Sequence, residues 1–198
     1  TDNHKKLHLS KSNVLQFNKL LLLRVKSLDD KIGVAVLIGL AHNLQLISTD
    51  CDIYLVASVQ EELGARGAQM VTEAILPEIG VAIDVTHATD YPTMSPTKDG
   101  DISIGKGVVI PLGPNMNKGI NHKLTSIAES NKIPYQVEAI AKPTGTDARM
   151  IQVAGKGVKT GLISIPCRYM HTPSEMVSLA DADNAIALLT EFCKNCDK

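Results

Sequence analysis

Two adjacent glutamates, Glu61 and Glu62, directly follow an apolar run that is predicted to be a β-strand. Because side chains alternate along an extended chain, the two carboxylates point in different directions. One can therefore bind a cation while the other takes a proton from water, and a hydrolytic metal site needs both groups. The alternative interpretation is a pair of solvated acids in a loop.

Other acids and one histidine follow the same pattern at the predicted ends of strands. Asp84 lies within the apolar sequence Ile83-Asp84-Val85, and a buried carboxylate is costly unless it is paired, hydrogen-bonded or bound to a metal. Asp29 and Asp30 precede a predicted buried helix, which aspartate can cap, and the Asp29 carboxylate can also bridge two metal ions. His171 precedes Thr172-Pro173-Ser174-Glu175, which is typical of a capping box that starts a helix, and it can be structural or a ligand. Oxygen ligands with one imidazole suit zinc, cobalt or manganese.

The elements that must position these residues alternate between strand and helix. The predicted strands are Leu20–Val25, Asp52–Val59, Val81–Val85, Val108–Leu112, Tyr135–Ile140 and Gly161–Pro166. The predicted helices are Ile32–Leu44, Ala68–Leu76, His122–Asn131, Thr146–Ala154 and Ser174–Cys196. This order predicts an α/β domain with a central, mostly parallel but mixed sheet flanked by helices, in which sites gather at the carboxyl ends of strands.

The composition of the 198-residue chain is that of a soluble globular protein, with 20 basic and 21 acidic residues and a net charge of −1. It indicates no nucleic-acid or membrane partner. The four cysteines are too few to indicate a disulfide framework, so we expect a reducing, cytoplasmic compartment. We assign residues 25–198 to one domain and leave residues 1–24 unassigned.

Five segments occur in an order that matches a known family. They are Ser27–Gly33, Gln60–Ala68, Ala82–Thr86, Gly145–Ala148 and Ile165–Pro173. Together they resemble the glutamyl aminopeptidase family of two-metal metallopeptidases, metallopeptidase family forty-two, which includes the tetrahedral (TET) aminopeptidases. The resemblance extends from about Val25 to Cys196 and implies a zinc-aminopeptidase-like fold.

The resemblance implies a role for each of the candidate residues. Asp29 matches the carboxylate that bridges two metal ions, and Asp84 matches a ligand of one of them. Glu62 and His171 match the ligands of the other ion, and Glu61 matches the general base.

The resemblance also implies the reaction and its cofactors. We expect release of N-terminal residues from peptides by water that two divalent ions activate, with zinc as the first expectation and cobalt or manganese as alternatives. Gly145, Thr146 and Asp147 are expected near the site, although a loop that leads into a helix explains them equally well. Family members form dimers that assemble into dodecamers, so we expect a homo-oligomer that acts on peptide substrates.

One part of the family pattern is missing from this sequence. The family has a further histidine in a His-x-Asp motif upstream of the bridging aspartate, with a β-rich dimerisation domain inserted between them. Neither His4 nor His8 begins such a motif, and too few residues precede Asp29 for that domain. We therefore expect an incomplete half-site around Asp84, in a sequence that is part of a longer chain or a short variant. The alternative functions are a catalytically silent assembly subunit or peptide-binding module, and a deacylase on the same scaffold.

Overall fold

The computed structural model describes residues 14–17 and 20–196, and these residues form one seven-stranded sheet and six helices. The strands are β1 (Val14–Phe17), β2 (Leu20–Val25), β3 (Ile79–His87), β4 (Val108–Leu112), β5 (Tyr135–Ala139), β6 (Lys159–Arg168) and β7 (Glu175–Ser178). The helices are α1 (Leu28–Leu44), α2 (Arg66–Ile75), α3 (Pro96–Asp99), α4 (Lys118–Ser130), α5 (Ala148–Val153) and α6 (Leu179–Lys194). His4 and His8 lie outside the described residues.

The sheet is mixed. Its order is β1-β2-β7-β6-β4-β5, and β3 pairs with β6 beside this path. The β3–β6 and β4–β5 pairs are parallel, whereas β1–β2, β2–β7, β6–β7 and β4–β6 are antiparallel. The predicted α/β class is confirmed, and antiparallel pairing takes a larger share than we predicted. One reason is β7, an additional strand that lies between β2 and β6 and runs antiparallel to both.

Side chains on β6 alternate between two apolar layers. Ile163, Ile165 and Cys167 belong to the large core beneath α1, α4 and α6. Leu162 points to the opposite face, where it packs with Ala82 of β3 and with α5 in a smaller core. The sheet is therefore covered by helices on both faces, as the strand–helix alternation predicts.

The start of the last helix differs from the prediction. Residues 175–178 form β7, and α6 begins at Leu179, so the capping box predicted from Thr172 to Glu175 is wrong. The Thr172 hydroxyl donates to the Tyr169 carbonyl and accepts the Ser174 N–H, which makes a turn instead of a helix cap. The carboxylate of Glu175 accepts the N–H of His171 in this turn and the N–H of Asp29, which is 146 positions away.

The predicted strand Asp52–Val59 is wrong as well. This segment pairs with no strand in the described part of the chain, and Tyr54 and Val59 are 63% and 66% exposed. Alternating apolar residues predict an extended chain, but a strand also needs a neighbour to receive its hydrogen bonds. The residues that are described supply none for this segment.

Strand β2 coincides with the predicted strand Leu20–Val25. Most of it falls in residues 1–24, which we left without a domain assignment. It pairs with β7 from Leu22 opposite Ser178 to Val25 opposite Glu175. Residues 20–24 therefore belong to the same sheet as the rest of the domain. The chain leaves β2 at Val25 and reaches Asp29 within one short turn, which fixes the position of that candidate ligand.

The two longest described helices are α1, with 17 residues, and α6, with 16 residues. They pack against each other. A Cβ atom at Gly39 of α1 would collide with Ile186 of α6, so glycine permits this close approach. The Asn43 amide donates to the Thr190 hydroxyl at 3.0 Å across the same contact. Among the helices of residues 20–196, none has both the length and the apolar character to cross a bilayer.

A buried acid fixes the beginning of α6. The Asp181 carboxylate accepts the Gly105 N–H at 2.6 Å and the Gly107 N–H at 2.8 Å, and the side chain is fully buried. Burial raises the pKa of Asp181 to about 6, although the two hydrogen bonds act in the opposite direction. This carboxylate ties α6 to the turn that precedes β4.

Cys51 and Cys196 form a disulfide between residues that are 145 positions apart, contrary to the expectation of unpaired cysteines. The bond joins the segment before Glu61 to the end of α6. Cys167 and Cys193 are free and buried. Sequence reasoning missed this pairing because nothing local relates two cysteines at that separation.

The disulfide predicts a specific thiol count. Denatured protein should show two reactive thiols without reductant and four after reduction, as measured with Ellman's reagent. Closing a loop of this length stabilises a protein by on the order of 5 kcal/mol in the chain-entropy treatment, so reductant should lower the Tm. The Cys51→Ser variant is the control, because its Tm should not respond to reductant. Four reactive thiols before reduction would contradict the assignment.

Candidate metal centre

Three of the predicted ligands converge in the structure. Asp29, Glu62 and His171 each present one ligand atom, and these atoms all lie within 4.8 Å of one another. His171 Nε2 and Asp29 Oδ2 are 3.1 Å apart. Zinc binds imidazole nitrogen and carboxylate oxygen at about 2.0–2.2 Å, so small side-chain rotations would bring all three atoms into contact with one ion.

The backbone around Asp29 shows which acid caps the helix. Asp29 has non-helical angles, φ −80° and ψ 108°, and its side chain faces His171. The Asp30 carboxylate instead accepts the Gly33 N–H at 3.0 Å, and a Cβ atom at Gly33 would collide with that carboxylate. The peptide bond between Asp29 and Asp30 is cis. The helix-capping alternative therefore applies to Asp30, and the Asp29 carboxylate is available for other contacts.

The two glutamates lie together in a tight turn. The Glu61 carbonyl accepts the N–H groups of Gly64 and Ala65, both at 2.8 Å. Glu62 joins the group with Asp29 and His171, whereas Glu61 does not and is half-buried beside it. Burial raises the pKa of Glu61 to about 7, and the nearby charges of Asp147 and Glu62 add to this shift. The two carboxylates thus have different surroundings, although they lie in a turn and not after the extended strand on which the prediction relied.

Asp84 lies on β3 opposite Ser164 of β6, and it is only 8% exposed. Its Oδ1 accepts the Val85 N–H at 2.8 Å, so part of the backbone-bonded interpretation holds. Burial nevertheless raises the pKa of Asp84 to about 7, and the charges of Glu61 and Asp29 contribute. Asp84 is therefore close enough to Glu61 and Asp29 to be affected by their charges, but it is not part of the three-ligand group.

Asp147 adds a further carboxylate near the site. It stands before α5 without capping that helix through its side chain, and its Oδ2 accepts the Ser58 hydroxyl. Its Oδ1 is buried without a hydrogen-bond partner. The charge of Asp147 raises the pKa values of Glu61 and Asp84. Thr146 bonds through its hydroxyl to Thr144, at 2.9 Å, and Gly145 is exposed.

Sequence reasoning missed three residues beside this group. Asp30 was considered only as a cap, yet burial and the charge of Asp84 raise its pKa to about 8. The His87 ring lies 6.0 Å from the His171 ring in an edge-on arrangement. Glu175 is buried in β7 and bonds to the backbone of two of the candidate ligands. An acid at the start of an apolar run was the available signal for Glu175, and the capping-box pattern concealed it.

The electrostatics of this group fit a divalent cation. Burial raises the pKa of Asp29, and the charge of Glu62 raises it further, while His171 lowers it. Carboxylates that raise one another's pKa values repel when they are ionised, and a bound cation reverses that effect. Two carboxylates and one imidazole are donor types that bind divalent cations of the zinc class.

The family model for M42 glutamyl aminopeptidase matches residues 10–188. The chain belongs to this family. A lysyl aminopeptidase from Pyrococcus furiosus is 44% identical over 163 residues, which cover 81% of this chain and 45% of that relative. The resemblance inferred from the five motifs is therefore confirmed.

Solved structures agree with this assignment. The aminopeptidase APDkam598 from the archaeon Desulfurococcus kamchatkensis superposes with a TM-score of 0.81 and 37% identity, covering 92% of this chain and 51% of that one. A TET aminopeptidase from a marine sediment Thaumarchaeota archaeon superposes with a TM-score of 0.84 and 30% identity, covering 92% and 52%. The chain spans about half the length of the curated relatives and solved structures that it matches.

The raised pKa values predict how stability depends on pH in chelator-treated protein. The folded chain holds a proton at Asp84 up to about pH 7, whereas an unfolded aspartate releases it near pH 4. The folded state therefore binds more protons between these values, and the stability of the wild type relative to Asp84→Asn should fall as the pH rises from about 4 to 7. Thermal unfolding of both proteins across this range measures the difference.

The exposed acid Asp101 supplies the control for this experiment. The Asp101→Asn variant should follow the wild type at every pH. A constant or widening advantage of the wild type over Asp84→Asn with rising pH would contradict the prediction.

Proposed function

We propose that this protein is a metal-dependent aminopeptidase that releases N-terminal residues from peptides. The observation that supports this most is the convergence of Asp29, Glu62 and His171 beside a half-buried Glu61. Membership of the M42 glutamyl aminopeptidase family supports the same reaction. Because the chain spans about half of its relatives, the activity of the whole protein is part of this proposal.

Four residues would hold the metal ions. Asp29, Glu62 and His171 would bind one divalent ion, and Asp84 would bind a second ion that shares Asp29. Zinc is the first expectation, with cobalt or manganese as alternatives. When bound, such ions supply Lewis acidity, which polarises the scissile carbonyl and makes the attacking water more acidic.

Glu61 would act as general base and then as general acid. It is not part of the three-ligand group, and burial together with the neighbouring charges raises its pKa to about 7. A carboxyl group with that pKa can accept a proton from the attacking water and donate it to the leaving amine near neutral pH. The hydrogen-bonded Ser58–Asp147 pair and its charge would help to keep the pKa of Glu61 high.

The sign of the local charge favours an aminopeptidase over a deacylase. A peptide brings a positively charged α-amine to the scissile bond, whereas an acyl-amino acid brings a carboxylate. With divalent ions bound, the charges of Asp29 and Glu62 would be balanced, so Asp147, which is not a proposed ligand, would attract the amine and repel the carboxylate. Removal of single N-terminal residues follows, because the free amine would be held beside the reacting carbonyl.

Assembly, location and substrate preference are also proposals. One solved relative is a dodecamer, and the TET1 peptidase of Pyrococcus horikoshii can assemble into a tetrahedron or a large octahedral shell, so we propose a homo-oligomer here. A cytoplasmic location stays a prediction, and the Cys51–Cys196 disulfide weighs against a reducing compartment. Relatives are named for glutamyl and lysyl substrates, so both belong in any test.

The Glu61→Gln variant tests the proposed reaction. Protein dialysed against a chelator should lose activity on p-nitroanilides of lysine, glutamate and leucine, and zinc or cobalt should restore it. Glu61→Gln should bind zinc like the wild type but turn over about 10²–10⁴-fold more slowly, because a general base contributes that much. The control is Glu78→Gln, which changes an exposed glutamate and should keep full activity.

Two outcomes would contradict the proposal. Normal turnover by Glu61→Gln would remove Glu61 from the role of base. Hydrolysis of acyl-amino acids without cleavage of amino-acyl substrates would indicate a deacylase. Loss of zinc binding in His171→Ala, measured by calorimetry, should accompany the aminopeptidase result.

A further inference from the structure

Glu175 connects two of the three candidate ligands through their backbones. Its Oε2 accepts the N–H of Asp29 at 3.0 Å, and its Oε1 accepts the N–H of His171 at 3.0 Å. The residue is only 3% exposed, so an acid has been buried to make these two bonds. Hydrogen bonds to a carboxylate are stronger than those between neutral groups, especially away from water.

The topology explains why one carboxylate can reach both residues. Glu175 is the first residue of β7, and it pairs with Val25 at the end of β2, from which the chain turns toward Asp29. On its other side, β7 pairs with β6, and the connection between these strands carries His171. Glu175 therefore lies between the two segments that bring Asp29 and His171 together, although Asp29 is 146 positions away in sequence.

Neither residue has the backbone angles of a regular helix or strand interior, although Asp29 falls within the range of α1. His171 has a φ of 63°, in the left-handed region that non-glycine residues rarely adopt, and Asp29 departs from helical angles. The left-handed backbone of His171 persists only where surrounding contacts fix it. The two carboxylate oxygens of Glu175 supply such a contact at each of these residues.

We infer that Glu175 is a positioning residue for the metal centre, which sets the separation of Asp29 and His171 before an ion binds. The inference rests on the proposed metal site. Glu175 is not part of the three-ligand group, and each of its oxygens accepts a backbone N–H from one of the ligand residues. Partners of this kind typically change metal affinity by 10–100-fold when they are altered.

Asp181 provides a matched comparison. It is also a buried acid whose two oxygens accept two backbone N–H groups, but its partners are Gly105 and Gly107. Changing either acid to its amide replaces one acceptor oxygen with an NH₂ group that faces a backbone donor. Both changes should lower the Tm, but only the Glu175 change alters the backbone that carries candidate ligands.

The test compares Glu175→Gln with Asp181→Asn in two measurements. Competition with a chromophoric chelator gives the Kd for zinc, and amide hydrogen exchange reports on Asp29 and His171 in zinc-free protein. Glu175→Gln should raise the zinc Kd by about 10–100-fold and speed exchange at both amides. Asp181→Asn should leave the zinc Kd and these two amides unchanged.

A third variant keeps the test decisive if Glu175→Gln does not fold. Glu175→Asp retains the charge but shortens the side chain, so it should also weaken zinc binding and speed exchange at both amides. Unchanged zinc affinity in the Glu175 variants would overturn the inference while leaving the metal site standing. Equal losses in the Glu175 and Asp181 variants would also overturn it, because general destabilisation would then be the cause. Absence of zinc binding by the wild type would reject the proposed metal site, and the inference with it.

Discussion

Carboxylates that are crowded together away from water repel one another, so each must be protonated, hydrogen-bonded or matched by a cation. Five acids of this protein share that condition at one place: Asp29, Asp30, Glu61, Asp84 and Asp147. Burial raises the pKa of every one of them. Backbone N–H groups donate a hydrogen bond to one carboxylate oxygen of Asp30 and of Asp84, and a serine hydroxyl donates one to Asp147. His171 lies 3.1 Å from Asp29, and a cation bound by Asp29, Glu62 and His171 would balance part of the remaining negative charge.

The mixed sheet is the means by which these groups meet. Asp84 comes from a strand that runs parallel to β6, whereas His171 comes from the turn between two antiparallel strands, β6 and β7. The insertion of β7 beside β2 brings that turn next to the start of α1. An all-parallel arrangement would require a long crossover between β6 and its neighbour, and His171 could not stand so close to the strand that leads to Asp29.

How far the sequence predicts this structure depends on whether a feature is local. Helices α4 and α6 and strands β3 and β6 follow from apolar periodicity, and the ligand types follow from acids placed after strands. Glu175 shows the limit, because its neighbours match a capping box while its hydrogen bonds reach Asp29, 146 positions away. The segment Asp52–Val59 shows another limit, since its pattern is that of a strand but pairing depends on a partner. The Cys51–Cys196 bond likewise depends on the folded arrangement and on no local pattern.

The Cys51–Cys196 bond has a consequence for the integrity of the site under proteolysis. A single backbone cut anywhere between these two residues produces two fragments that remain covalently joined through sulfur. Asp29 precedes the bond, while Glu62, Asp84 and His171 lie within the loop that it closes. A nicked molecule would therefore retain all of its candidate ligands in one covalently linked molecule. It would migrate as one band in a denaturing gel until a reductant is added.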